Sequence, residues 1–130
     1  MTVYVCLDDR NGMLFNHRRQ SRDIRVLEDI RDSVPEVLTI DPFSEKLIAE
    51  AGIPYVLAEA VLEPDVHFFL ENRSAAQVLE SADRLVIYRW NRHYPADVRF
   101  DADLSGFALQ STEQFPGKSH DTITKEVYTR

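Results

Sequence analysis

The segment that most constrains this chain is its first one, Thr2 to Leu7 (TVYVCL). It is rich in β-branched and aromatic residues and shows almost no apolar/polar alternation. A strand with one face in water alternates. A strand without alternation must be covered on both faces. The usual solution is a parallel sheet sandwiched between helices, so the rest of the chain should supply helices between further short strands.

The rest of the chain fits that requirement. Asp8-Asp9-Arg10-Asn11-Gly12 reads as a turn, because Asn-Gly tolerates positive φ. A helix is expected over Arg22 to Arg31, with Ser21 as N-cap, Asp23 in the first turn and Ile24, Leu27 and Ile30 on one face. Pro35 closes it, and Val37 to Ile40 forms a short strand. Asp41-Pro42 then reads as N-cap and first helical residue of a helix with Leu47, Ile48 and Ala51 on its apolar side, ended by Gly52. Tyr55 to Leu57 and Val66 to Leu70 read as strands. Ser74 with Gln77 is a capping box, opening a helix with Val78, Leu79 and Ala82 inward. Arg84 to Trp90 is a strand, and Phe107 to Ser111 with Ile123 to Tyr128 form a closing hairpin whose connection holds Pro116-Gly117. The expected fold is a single α/β domain over residues 1–130. It has a mostly parallel central sheet, helices on both faces and a C-terminal antiparallel hairpin.

A hydrophobic fraction of 44% over 130 residues is enough for a core without staples. No apolar run approaches the roughly 20 residues of a membrane span or the h-region of a signal peptide. The single cysteine, Cys6, excludes an internal disulfide and a paired-cysteine metal knuckle, and a reducing, cytoplasmic setting is expected. The net charge of −7 argues against nucleic acid as a generic partner. The charge is unevenly spread, however. Residues 1–31 carry six arginines against five acids, whereas residues 32–130 carry nine basic and 17 acidic residues. Arginines gather in Arg18-Arg19-Gln20-Ser21-Arg22. Such a run is either a solvated helix entry or an anion site, since guanidinium forks match phosphate and carboxylate. Ligands of parallel sheets bind beyond the carboxyl ends of the strands. Three connections should line that crevice: Asp8 to Arg22, Asp41 to Ser44 and Glu71 to Ser74.

The order of elements resembles dihydrofolate reductase. The likeness is strongest in SADRLVIYRWNRHYPADVRF and in GFALQSTEQF…TITKEVYTR, which is similar to that family's final hairpin; VCLDDRNGM resembles its first strand and following loop. The resemblance implies an acidic residue in the first helix that binds the ring of the substrate and assists proton delivery, a role that falls on Asp23. A helix dipole alone also accounts for an aspartate there. The resemblance further implies NADPH as cofactor. Several family features are replaced, however. Glu71-Asn72 stands where the family has paired glycines against the cofactor's pyrophosphate, and a carboxylate there is repulsive. Asp41-Pro42-Phe43-Ser44 replaces a phosphate-binding arginine-threonine pair, leaving only Ser44 for part of that role. Leu14-Phe15-Asn16 stands in place of a Trp-Pro motif. The chain also resembles short bacterial proteins sharing NGM.FN.RRQSRD and RWNR.YPAD, sometimes labelled ribonuclease Z. That nuclease needs an HxHxDH zinc cluster, and His17, His67, His93 and His120 are scattered singly.

Other signatures are missing: no GxGxxG, no Walker A sequence and no GxSxG elbow that would announce a Ser-His-Asp enzyme. Tyr88 to Tyr94 interleaves aromatic and basic residues, as base-stacking surfaces do, but Tyr88 and Trp90 share a strand face and read as a structural layer. Cys6 reads as a small buried hydrophobe. The leading expectation is a divergent dihydrofolate-reductase-like protein binding a small anionic or nucleotide-like ligand through Asn11, Gly12, Arg18, Arg19, Arg22, Ser44 and Asn72. One alternative is an active NADPH-dependent reductase with Asp23 as the proton-delivery residue. The other is a non-catalytic module forming a homodimer through the terminal hairpin and the aromatic stretch.

Overall fold

The computed structural model describes all 130 residues. Seven strands form the main sheet: β1 (Thr2–Leu7), β4 (Leu38–Ile40), β5 (Tyr55–Leu57), β6 (His67–Phe69), β7 (Arg84–Arg89), β9 (Ala108–Phe115) and β10 (Ile123–Thr129). Their spatial order is β5-β4-β6-β1-β7-β10-β9. The first five run parallel, and β10 pairs antiparallel with both β7 and β9. Three helices complete the layers: α1 (Ile24–Ser33), α2 (Glu45–Glu50) and α3 (Ala75–Leu79).

β1 lies at the centre and is covered on both faces, as its lack of alternation requires. Val3, Val5 and Leu7 enter one core with Leu85 and Ile87 of β7 and with Ala75, Val78 and Leu79 of α3. Tyr4 enters the opposite core with Val86 and Tyr88, and with Val26, Leu27 and Ile30 of α1 and Leu47 and Ile48 of α2. The helices fall on opposite faces because the crossovers leave the centre in opposite directions and each keeps the right-handed sense. Burying each large apolar side chain contributes about 1.5–3 kcal/mol. Tyr88 and Trp90 are buried, at 0% and 3% exposure, so these two aromatic rings belong to the core. The outer strand of the hairpin, β9, stays exposed along nearly its whole length.

Several boundaries differ from expectation for identifiable reasons. α1 starts two residues late, at Ile24, because Asp23 and not Ser21 is the N-cap: its carboxylate accepts from the Arg25 backbone N–H at 2.9 Å. The inward residues are Val26, Leu27 and Ile30, while Ile24 is 43% exposed. Asp41 precedes a 3-10 turn, Pro42–Ser44, and then α2, but its side chain caps neither. Both of its oxygens instead accept from Arg73, at 2.7 and 2.8 Å. Ser74 does cap α3, through the Gln77 N–H.

The segment after the first turn is not a loop. β2 (Gly12–Phe15), β3 (Arg18–Arg19) and β8 (Val98–Arg99) form a small second sheet in the order β3-β2-β8. Asn16 and His17 both have positive φ, the geometry of a two-residue hairpin turn. This sheet fixes the arginine run against the Tyr94-to-Asp97 segment. The Asp8 carboxylate accepts from the backbone N–H of Arg10, Gly12 and Tyr94 and from Gln20 Nε2. A Cβ on Gly12 would lie 2.5 Å from Gln20 Nε2, so this junction closes only around glycine. The two motifs NGM.FN.RRQSRD and RWNR.YPAD are therefore halves of one unit.

Candidate functional site

A narrow cleft opens beyond the carboxyl ends of β1 and β6. Its walls are Cys6 of β1, Phe69, Leu70 and Glu71 at the end of β6, Trp90 just past β7, Val26 and Leu27 of α1, Leu47 of α2 and Met13 of β2. Arg19, Gln20, Ser21, Arg22 and Asp23 form its remaining side. It encloses about 430 Å3 including the open mouth. As the side chains stand, its interior leaves room for roughly one water molecule. Burial holds the Cys6 thiol far above its ordinary value, so it is a neutral floor residue and not a nucleophile.

The expected ligand residues separate into three groups. Arg19, Arg22 and Asp23 line the cleft. Ser44 reaches it indirectly, donating to Glu71 Oε1 at 2.6 Å. Asn11, Gly12, Arg18 and Asn72 stand outside it. Asn11, at φ 61°, accepts from Arg89, Gly12 sits in the Asp8 junction, and Arg18 and Asn72 are exposed.

Arg19 does not wait for an anion. Its guanidinium donates to both oxygens of Glu71, each at 2.8 Å, and that bond raises its pKa further. The pair is largely removed from solvent, with side-chain exposures of 25% and 9%. Glu71 thus supplies internally the anion that the arginine run offered. Arg22, by contrast, is 63% exposed and meets only Glu50, at 3.7 Å, so it remains available at the rim. Gln20 Nε2 donates to Asp8 Oδ2 and to the Pro95 carbonyl, which fixes the amide orientation, and its Oε1 is buried without a partner.

Asp23 is the most heavily engaged polar group. Its Oδ1 accepts from the N–H groups of Arg25 and Lys118; its Oδ2 accepts from Ser119 N and Oγ and from His120 N and Nδ1. An ionised carboxylate has about four lone-pair sites, so none is free for a ring in the cleft. Burial on its own raises the Asp23 carboxyl pKa, but the Lys118 N–H, the His120 ring and the N–H groups of Arg25 and Ser119 outweigh it and hold it well below the usual range. Gly117 allows this approach. A Cβ there would lie 2.6 Å from Asp23 Oδ2 and 2.6 Å from the His120 carbonyl.

The groups that sequence reasoning missed are His120, Ser21 and Tyr94. His120 is 3% exposed and stacks on Trp90, with ring centroids 4.6 Å apart. Its Nδ1 is 2.9 Å from Asp23 Oδ2; its Nε2 is 3.1 Å from Ser21 Oγ and 3.0 Å from Tyr94 OH. Only the closeness of Ser21 and Asp23 was visible in the sequence. No group of three or more His, Cys, Asp or Glu side chains is placed to hold a metal ion.

A parallel core with an antiparallel hairpin at β10-β9, covered by α1 and α2 on one face and α3 on the other, has known counterparts. A dihydrofolate reductase from Enterococcus faecalis, solved in complex with NADP(H) and RAB-propyl, superposes with a TM-score of 0.73 at 11% sequence identity, over 99% of this chain and 95% of that one. The fold is dihydrofolate-reductase-like. At this identity the likeness concerns the fold alone. No protein-family model matches the chain, and no curated protein matches it by sequence. Within the dihydrofolate-reductase-like fold, the cleft described above occupies the crevice beyond the carboxyl ends of the parallel strands, where such sheets take ligands. No helix is long and apolar enough to cross a membrane.

Proposed function

We propose that this chain binds a small planar ligand carrying an anionic group, of nucleotide-like chemistry, in the cleft between β1, β6 and α1. The observation that carries the reading is the lining: apolar walls on opposite sides of a narrow slot, with Arg22 uncommitted at the rim. A flat ring suits such a slot, and the exposed guanidinium suits phosphate or carboxylate at its mouth. The unpartnered Gln20 Oε1 adds an acceptor beside the cleft for a ring N–H. Entry requires Arg19 and Glu71 to move, which makes that pair a latch.

The reading favours binding over NADPH-dependent reduction. Glu71 places a carboxylate at the end of β6, and the Asp23 oxygens are saturated. Adenosine monophosphate and NADPH are suitable probes for calorimetry and thermal shift. At 100 times its Kd a ligand adds about 2.7 kcal/mol of stability. Arg22→Ala should weaken AMP binding about tenfold, the loss of one charge-assisted contact of about 1.4 kcal/mol. If neither probe binds wild type at millimolar concentration, the reading is wrong.

A further inference from the structure

Ser21, His120 and Asp23 form a hydrogen-bonded chain on the wall of the cleft. The Asp23 carboxylate can only accept, so His120 Nδ1 carries the proton in that 2.9 Å contact. The neutral ring then turns a lone pair at Nε2 toward Ser21 Oγ, 3.1 Å away. This is the tautomer in which an imidazole can take a proton from a serine hydroxyl. The ring cannot easily turn away, because Trp90 stacks on it and Asp23 also holds the His120 backbone N–H. Ser21 and Asp23 both line the cleft. The backbone N–H groups of Ser21 and Arg22 have no acceptor within the chain.

We propose that Ser21 is a nucleophile, with His120 as its general base and Asp23 as the residue that positions His120, and that the cleft hydrolyses a small ester with a flat acyl group. Ser21 Oγ attacks the carbonyl carbon while its proton passes to His120 Nε2. The tetrahedral intermediate collapses, the bond to the alcohol oxygen breaks, and the alcohol leaves with the proton from His120. Water then attacks the acyl-serine, with His120 again taking the proton, and releases the carboxylic acid and free Ser21. The reaction consumes one water and involves no redox change. Tyr94 OH competes for the same Nε2, at 3.0 Å, and lies 3.4 Å from Ser21 Oγ, so it restrains the serine in the resting state.

This proposal rests on the cleft being a ligand site, but it is tested separately from nucleotide binding. The full chain is treated with an alkyl fluorophosphonate, and the adduct is located by peptide mass mapping; 4-nitrophenyl acetate hydrolysis is followed in parallel. The expected result is one adduct per chain, on Ser21, absent in Ser21→Ala. His120→Gln should slow labelling and hydrolysis about 10²-fold, the low end for loss of a general base. Tyr94→Phe removes the hydroxyl that competes for His120 Nε2 and should make labelling faster. Asp23→Asn keeps an oxygen for capping but can donate toward His120 Nδ1, so labelling should slow while the circular dichroism stays native. No adduct on wild type, or an adduct on another residue, overturns the proposal. Ester hydrolysis that persists in Ser21→Ala does the same. Ser21→Ala removes one oxygen from a loop residue and should fold, so the test does not hang on His120→Gln. Binding of AMP without any adduct would sink the nucleophile while leaving the ligand reading intact.

Discussion

Replacing Asp23 by alanine should be the most damaging single polar change in this molecule. Asp23 caps α1 and holds the Lys118-Ser119-His120 segment through backbone and side-chain donors. Losing the cap costs about 1 kcal/mol. Lys118 and Ser119 are exposed and can turn to water, whereas His120 is buried and would leave its backbone and ring N–H groups short of an acceptor. Each buried donor left unsatisfied costs about 1–3 kcal/mol. The sum is about 3–7 kcal/mol, a large part of the 5–15 kcal/mol typical of a domain. At about 4 °C per kcal/mol for a domain of this size, Tm should fall by about 12–28 °C. Asp23→Ser keeps an oxygen for the cap and should be about 1 kcal/mol more stable than Asp23→Ala. Urea unfolding followed by circular dichroism measures both. The pH dependence gives a second check. The folded carboxyl titrates below the unfolded value of about 3.9, so its contribution is complete above about pH 5 and is lost as pH falls through the folded value. Wild type should lose stability in acid more steeply than Asp23→Ala, which keeps only the contributions of carboxyls such as Asp8. A loss of under 1 kcal/mol in Asp23→Ala, with an unchanged acid slope, would refute the claim that this carboxylate ties the loop to the helix.

Gly117→Ala should destabilise by about 1–3 kcal/mol in thermal unfolding, because its methyl group would lie 2.6 Å from Asp23 Oδ2 and from the His120 carbonyl. Glu71→Gln should loosen Arg19, open the cleft and raise AMP affinity about tenfold by calorimetry, since one charge-assisted bidentate pair is lost from the closed state. Arg73→Ala should lower unfolding free energy by about 2 kcal/mol. It leaves Asp41, with only 12% of its side chain exposed, without its bidentate partner, and partial solvent access discounts the full buried-pair cost.

The main sheet was legible because its signal is local. Unalternating TVYVCL, the Ser74 cap and the Gly52 stop each report a nearby backbone state, and Tyr55–Leu57 appears at its expected bounds. The small sheet was not legible, since β3 is two residues long and its turn uses Asn16-His17 without glycine. The cleft was half legible. The arginine run marked the right wall, but which arginine is free depends on Glu71, 52 positions from Arg19. Likewise Asp23 stood out as an acidic residue at a helix start, while its partner His120 looked like a stray residue in a hairpin connection.

The distance along the chain between Asp23 and His120, 97 residues, has a consequence for how the molecule assembles. Closing so long a loop carries an entropic cost that early local contacts cannot offset. The parallel core of β1, β6 and β7 can form around its own apolar residues, but the Lys118-to-His120 segment reaches α1 only when the β10-β9 hairpin has docked on β7. The cleft wall is therefore completed late. A refolding experiment should recover sheet signal before the Trp90 environment, which His120 completes, and a variant with a weakened hairpin should keep the sheet and lose the site.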